Sequence, residues 1–320
     1  MRRSFTVPTC LPLALLASCS ATPVRHTDIA TYTTPAIEVP AVAHPASETP
    51  DWWYRSGAAR AAGNGAMQGR AKNVVAAARI LEGQRKGGTG EENQLSWETF
   101  PHTAFSKTYN TDSQTPDSAG TMTAIMTGVK THKGAIGVSA GMKNDCAGSL
   151  GKAALTWLEL ADSAGMATGI VTTARLTHAT PGSTYAHVPN RNWENDTNLP
   201  ADAAAQGCKD IAQQLLSSSR FGRGPRVAMG GGRDEYTPVD RADPRDSSHM
   251  GERRDGRDLV AEWQAAHPRG AYVWNTQQLR DAGDAPAILG LFGRGHMDYD
   301  HDRDRGDNGQ PGLAEMTRAA

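Results

Sequence analysis

Hydrophobic and polar positions follow two different periods along most of this 320-residue chain. Short runs rich in β-branched and apolar residues predict strands at 168–173, 226–229, 271–274 and 288–292. Residues 150–165, 202–218 and 258–266 predict helices. The first of these helices would bury one face, lined by Leu150, Ala154, Trp157, Leu158 and Ala161. Strands that alternate with helices imply an α/β fold, with a mainly parallel central sheet flanked by helices.

The first 49 residues differ from the rest of the chain in composition. Arg2 and Arg3 precede an apolar run that is too short to span a bilayer, which predicts an export signal over residues 1–18. The Leu-Ala-Ser-Cys string ending at Cys19 resembles a bacterial lipobox, in which Cys19 would be lipidated; an ordinary cleaved signal is the alternative. The paired arginines also resemble a twin-arginine signal. Residues 19–49 lack a sustained period and predict a flexible tether.

The balance of charges argues against one class of partner. The chain has 33 basic and 34 acidic residues, and its net charge is −1. Because acids and bases are interspersed, the chain has no basic stripe of the kind that binds nucleic acid. Residues 50–320 are expected to form one α/β domain of ordinary size.

The residues around Ser118 carry the candidate chemistry. Pro116 and Asp117 precede this serine, and the small, helix-compatible residues up to Gly128 predict that a helix begins here. The N–H groups at the start of a helix carry partial positive charge and can bind an anion. Ser118 therefore has two interpretations, an N-cap or a nucleophile that faces a phosphate. The second interpretation requires a base or a metal ion that activates the hydroxyl.

Longer strings in the chain resemble a known family. Residues 108–140, TYNTDSQTPDSAGTMTAIMTGVKTHKGAIGVSA, closely resemble the nucleophile segment of alkaline phosphatases, most of all in the animal-type branch. Four further strings resemble the same family in the same order: GIVTTARLTHATPGSTYAHVPNRNWEND, QGCKDIAQQL, AMGGGR and LGLFGRGHMDY. The resemblance extends from about Asp51 to the C-terminus.

The resemblance implies hydrolysis of phosphate monoesters at alkaline pH through a covalent phosphoserine, assisted by two zinc ions and one magnesium ion. Ser118 matches the nucleophile, whose hydroxyl one zinc ion would activate. Asp117 matches the carboxylate that orients a phosphate-binding arginine, and Arg191 matches that arginine. A guanidinium can hold two phosphate oxygens at once. A solvated surface arginine is the alternative for Arg191.

Further matches concern the magnesium site and the cysteines. Thr180 matches a hydroxyl ligand to magnesium, and His178 matches a position that touches magnesium-bound water. Cys146 and Cys208 match a disulfide of the animal-type enzymes, and two buried thiols are the alternative. The family is typically homodimeric, so a homodimer is expected here too.

Two other motifs carry less weight. Gly230, Gly231 and Gly232 resemble a phosphate loop, but no Lys-Ser/Thr pair follows them, and they predict a tight turn. Residues 300–304 place three aspartates at calcium-loop spacing (Asp300, Asp302 and Asp304), yet Pro311 stands where the bidentate glutamate belongs. We interpret this stretch as a solvated acidic loop.

The chain departs from the family pattern in two places. A Gly-Asp-Gly-Met turn with a metal-binding aspartate is expected near residue 75, but residues 71–75 run directly into residues 76–81. The strings that supply most zinc ligands in the family would all follow residue 320. Ser118 and Thr180 alone cannot hold two zinc ions. We therefore expect an incomplete domain and an inactive chain.

Three functions are compatible with these observations. The first is a phosphomonoesterase of the alkaline phosphatase type. The second is an exported, non-catalytic protein, periplasmic or held at the membrane through Cys19, that at most binds an anion. The third is a relative of the sulfatases, which share the architecture; it lacks support because no Cys/Ser-x-Pro-x-Arg string surrounds Ser118.

Overall fold

The computed structural model describes residues 70–102, 108–217 and 224–320. The expected export signal, Cys19 and the tether lie outside the described residues. The chain divides into two compact units, residues 1–103 and 104–320. Within the described part of the chain, no helix combines the length and the apolar character that crossing a membrane would need.

The described part of the first unit contains a long helix, α1 (Arg70–Arg85), and a 3₁₀ turn (Ser96–Thr99). The Arg79 guanidinium pairs with the Glu98 carboxylate and joins the helix to the turn. α1 includes both residues 71–75 and residues 76–81, so the two strings that flank the expected metal-binding turn form one continuous helix.

The second unit is built on a parallel sheet. Its strands are β1 (Gly169–Arg175), β2 (Val227–Gly231), β3 (Ala271–Val273) and β4 (Ile288–Gly293). They are arranged in the order β1-β2-β4-β3, and every neighbouring pair is parallel. All residues of β4 are buried, as expected of a strand covered on both faces. The predicted α/β fold and its four strands are confirmed.

Nine helices belong to the described part of this unit: α2 (Ser118–Thr127), α3 (Cys146–Ser149), α4 (Trp157–Ser163), α5 (Ala179–Gly182), α6 (Ala201–Ala205), α7 (Ile211–Ser217), α8 (Leu259–Ala266), α9 (Thr276–Asp281) and α10 (Leu313–Ala319). α8 matches its predicted range, and Asp258 caps it by accepting the Ala261 N–H. Two of the other helix predictions are wrong in part.

The predicted helix over residues 150–165 is the first. α4 starts only at Trp157, because Thr156 accepts the Glu159 N–H and caps the helix there. Gly151, at φ +81°, lies in the left-handed region and is incompatible with a continuous helix. The predicted apolar face does not form: Leu150 and Trp157 are 51% and 58% exposed, whereas Leu158 is buried.

The predicted helix over residues 202–218 is the second. It consists of α6 and α7, separated by Gly207 at φ +94°. A disulfide between Cys146, in α3, and Cys208, beside this break, joins two segments with a Cα–Cα distance of 6.0 Å. This is the cysteine pair expected from the resemblance. The bridge fixes the path of the chain between α6 and α7.

The two discounted motifs adopt ordinary structures. Gly230 and Gly231 are the last residues of β2, so the turn predicted for all three glycines is wrong for these two. Only Gly232, at φ +92°, turns, and its N–H donates to the Gly295 carbonyl at 2.7 Å. At residues 300–304, Arg303 pairs with the Asp300 carboxylate at 3.1 Å, and the Asp302 and Asp304 side chains are exposed. This region is the solvated loop that the sequence predicts.

Candidate functional site

Ser118 is the first residue of α2, and its side chain is exposed. The residue that caps the helix is Asp117, whose Oδ2 accepts the Ala119 N–H at 3.1 Å. The interpretation of Ser118 as an N-cap is therefore wrong. Because the helix start does not use the Ser118 hydroxyl, this hydroxyl is available at the end of α2 that favours an anion.

The Asp117 carboxylate connects three segments of the chain. Besides the Ala119 N–H, its Oδ2 accepts the Gly134 N–H at 2.9 Å. Its Oδ1 accepts a hydrogen bond from Arg191 Nη1, also at 2.9 Å. The backbone N–H of Arg191 donates to the Gly134 carbonyl at 2.7 Å, which closes the connection. Asp117 thus positions both the start of α2 and the arginine.

Arg191 lies directly against Ser118, although 73 residues separate them in the chain. Its Nη1 donates to Ser118 Oγ at 2.7 Å, and its Nη2 contacts His178 Nε2 at 3.0 Å. The side chain is partly buried, with 22% of its surface exposed. The structure therefore brings Ser118, Asp117, Arg191 and His178 together. Arg191 is not a solvated surface arginine.

His178 precedes α5 and accepts from Arg191, which requires the imidazole proton to be on Nδ1. Burial, followed by the charge of Arg191, lowers the pKa of His178 to about 4. The imidazole is therefore neutral across the neutral and alkaline range. The His296 ring packs edge-on against it, with 4.8 Å between ring centroids.

Thr180 lies on α5 with an exposed side chain. α5 packs beside α2, since Ser183 Oγ donates to the Ala119 carbonyl at 3.4 Å. The donor set nevertheless does not fit a pair of zinc ions. Among the described residues, no three histidine, cysteine, aspartate or glutamate side chains form a group that could hold a metal ion. Ser118 and Thr180 contribute hydroxyls, and His178 Nε2 already accepts from Arg191.

A charged network that sequence reasoning missed extends from the end of β1. Arg175 forms a two-pronged pair with Glu194 at 2.8 and 2.6 Å, and Thr177 Oγ1 donates to the same carboxylate. Asn195 Nδ2 donates to Glu235 Oε2 at 2.6 Å. Burial, then the nearby charges of Glu194 and Glu252, raises the pKa of Glu235 to about 8. The parts lie far apart in the sequence, so no local pattern reveals the network.

A second missed element supports the segment that carries Arg191. His187 Nε2 lies 2.9 Å from Glu159 Oε1, and both side chains are largely buried. His187 Nδ1 lies 2.7 Å from the Gly137 carbonyl oxygen. Next to it, Val188 and Ile136 exchange backbone hydrogen bonds at 2.9 Å. These contacts hold the chain on the N-terminal side of Arg191 against the segment that contains Gly134.

Comparison with known proteins agrees with this arrangement. The family model of alkaline phosphatase matches residues 67–320. The tissue-nonspecific isozyme of alkaline phosphatase from Gallus gallus is 43% identical over 261 residues, which cover 79% of this chain and 49% of that protein. Alkaline phosphatase from Gadus morhua is 43% identical over 255 residues, 77% of this chain and 52% of the relative. This chain thus spans about half the length of the curated relatives it matches.

A solved structure shares the fold. The crystal structure of Thermus thermophilus alkaline phosphatase superposes with a TM-score of 0.55 at 28% identity, covering 77% of this chain and 42% of the other. The family match extends over both the Ser118 segment and the Arg191 segment, which the fold brings into contact. On this evidence the chain belongs to the alkaline phosphatase family.

Proposed function

We propose that this chain binds the phosphate group of phosphate monoesters between Arg191 and the start of α2, and that the site serves hydrolysis through a phosphoserine at Ser118. The contact of 2.7 Å between Arg191 Nη1 and Ser118 Oγ is the observation that carries the proposal. It places a permanent cation, a hydroxyl and the positive end of a ten-residue helix at one point.

Each residue of the site has a separate task. Arg191 binds phosphate oxygens and keeps the phosphorus beside Ser118 Oγ. Asp117 orients the guanidinium by accepting a hydrogen bond from Arg191 Nη1. Neutral His178 holds the other arm of the guanidinium without adding a competing charge. Together they hold the guanidinium in place, so that an entering phosphate has to displace the Ser118 hydroxyl from Arg191 but leaves the contacts to Asp117 and His178 intact.

The metal chemistry of the family is not matched by the described residues, because they contain no group of three suitable ligands. Hydrolysis, the first candidate function, would therefore need metal ligands that the described residues do not supply. A non-catalytic, exported anion-binding protein is the second candidate function. The disulfide between Cys146 and Cys208 favours export, because such bridges persist in oxidising compartments.

A titration with inorganic phosphate, followed by ³¹P NMR, tests the proposal. We expect saturable binding by the wild type, and at least a tenfold loss in Arg191→Ala, since a charge-assisted hydrogen bond contributes roughly 1.5–3 kcal/mol. Ser118→Ala should retain part of the affinity. Arg280→Ala is the matched control, because Arg280 also pairs with an aspartate but lies elsewhere, on α9.

Hydrolysis of an aryl phosphate, measured with saturating Zn²⁺ and Mg²⁺, separates the two candidate functions. Turnover that requires zinc and disappears in Ser118→Ala would support an active phosphomonoesterase and contradict the expected inactivity. Binding without turnover supports the second candidate. Wild-type protein that shows no saturable phosphate binding would overturn the proposed site.

A further inference from the structure

Asn110 lies beneath the segment that presents Ser118 and is 3% exposed. Its Oδ1 accepts the Asp117 N–H at 2.8 Å. The residue before Asp117 is Pro116, which has no N–H and can donate no hydrogen bond there. Asn110 therefore holds the backbone of the residue that caps α2 and positions Arg191.

The orientation of the Asn110 amide follows from this contact. The Asp117 N–H needs an acceptor, so the oxygen must face it and Nδ2 must point the other way. In that direction Nδ2 has no hydrogen-bond partner among the described residues, although it is buried. A buried donor without a partner costs about 1–3 kcal/mol. Such a group calls for an explanation beyond packing.

Two hydrogen bonds attach the segment that follows Asn110 to the segment that precedes Gly134. The Thr111 N–H donates to the Thr131 carbonyl at 3.0 Å, and Asp112 Oδ1 accepts the Lys133 N–H at 2.7 Å. The next residue, Gly134, donates to the carboxylate of Asp117. Asn110 thus lies in a segment that is hydrogen-bonded to residues 131–134, and Gly134 in turn donates to the Asp117 carboxylate.

We propose that Asn110 is a positioning residue for the phosphate site. It fixes the Asp117 backbone, and through Asp117 it fixes the direction of the Arg191 guanidinium and the start of α2. The inference rests on the proposed phosphate site for its consequence in binding, but its structural part can be tested without phosphate.

Gly120 provides the space that Asn110 needs. A Cβ atom at Gly120 would lie 1.9 Å from Asn110 Nδ2 and 2.9 Å from the His132 carbonyl oxygen. The backbone of α2 can approach the amide only because residue 120 has no side chain. Gly120→Ala should therefore displace Asn110 and disturb the same hydrogen bond.

The experiment combines amide hydrogen exchange with phosphate binding. In Asn110→Ala we expect the amides of Ala119 and Gly134, which donate to Asp117, to exchange roughly fivefold faster, as expected when one hydrogen bond of a network is lost. Phosphate affinity should fall by a similar factor. Asn275→Ala is the matched control: Asn275 is 5% exposed and its Oδ1 accepts the Gln278 N–H at the start of α9. This control should be destabilised without either effect.

A double-variant comparison adds a second criterion. If Gly120 matters mainly by making room for Asn110, the double variant Gly120→Ala, Asn110→Ala will change exchange by less than the sum of the two single-variant effects. Unchanged exchange at Ala119 and Gly134 in Asn110→Ala would overturn the inference. Faster exchange, in a protein whose wild type binds no phosphate, would retain the positioning role and reject the proposed function alone.

Discussion

The buried pair of Glu159 and His187 allows a quantitative test of how the segment that carries Arg191 is stabilised. Glu159 is 4% exposed, and its carboxylate has two tasks. Oε1 lies 2.9 Å from His187 Nε2, and Oε2 accepts the Thr156 N–H at 2.8 Å at the start of α4. Both nitrogens of His187 face acceptors, the Gly137 carbonyl oxygen and the Glu159 carboxylate.

Glu159→Ala would leave a buried imidazole nitrogen and a buried backbone N–H without their acceptor. Leaving a buried donor without its acceptor costs about 1–3 kcal/mol, and two donors lose their acceptor here. Since the two contacts share one carboxylate, we expect a total near 4 kcal/mol. Glu159→Gln keeps an acceptor for the Thr156 N–H and should cost less, about 1–3 kcal/mol.

Urea unfolding without reductant measures these free energies of unfolding. Glu262→Ala is the matched control, because Glu262 also pairs with a basic side chain, Arg257, but is 42% exposed. Its loss should cost less than about 1 kcal/mol. The reasoning would be refuted if Glu159→Ala were no more destabilising than this control.

The same pair predicts a dependence on pH. Burial would raise the pKa of Glu159, but the hydrogen bond and charge of His187, with the contacts to Thr156, lower it below its usual value of 4.5. A carboxyl group whose pKa is lower in the folded state stabilises the fold above that usual value and loses this contribution as the pH falls further. The difference in stability between wild type and Glu159→Gln should therefore shrink on acidification below pH 4.5.

Two further predictions concern other parts of the fold. Cys146 and Cys208 are 62 residues apart, so reduction of their disulfide, or Cys208→Ser, should lower the free energy of unfolding by about 4 kcal/mol; equal urea midpoints with and without reductant would contradict this. Glu235 holds its proton up to a pKa of about 8 in the folded state, so its contribution to stability is lost as the pH rises from 4.5 to about 8. Glu235→Gln cannot ionise and should gain stability relative to wild type between pH 5 and pH 9, and an unchanged difference across that range would count against the prediction.

The sheet was readable from the sequence because its strands are short apolar runs. The residues of β4 are buried throughout, so the run itself is the signal. The helix predicted over residues 150–165 failed for a different reason. Its apolar residues have the right spacing, but Gly151 and the Thr156 cap interrupt the backbone, and these local features outweigh periodicity.

The site shows the same division. Ser118, Asp117 and Arg191 lie in strings that resemble a family, and the fold brings them together. Glu159 with His187, and Arg175 with Glu235, are missed because the partners are distant in sequence and each residue alone looks like an ordinary surface charge. Only the packing of α4 and the ends of the strands makes these groups neighbours.

The capping of α2 by Asp117 separates the folding of this turn from its chemistry. Since the serine side chain does not support the helix, a substitution at position 118 would remove the proposed nucleophile while the surrounding architecture persists. The fold of this turn and the proposed reaction can therefore be lost independently in evolution. A descendant without the proposed reaction would keep the residues of the proposed anion site.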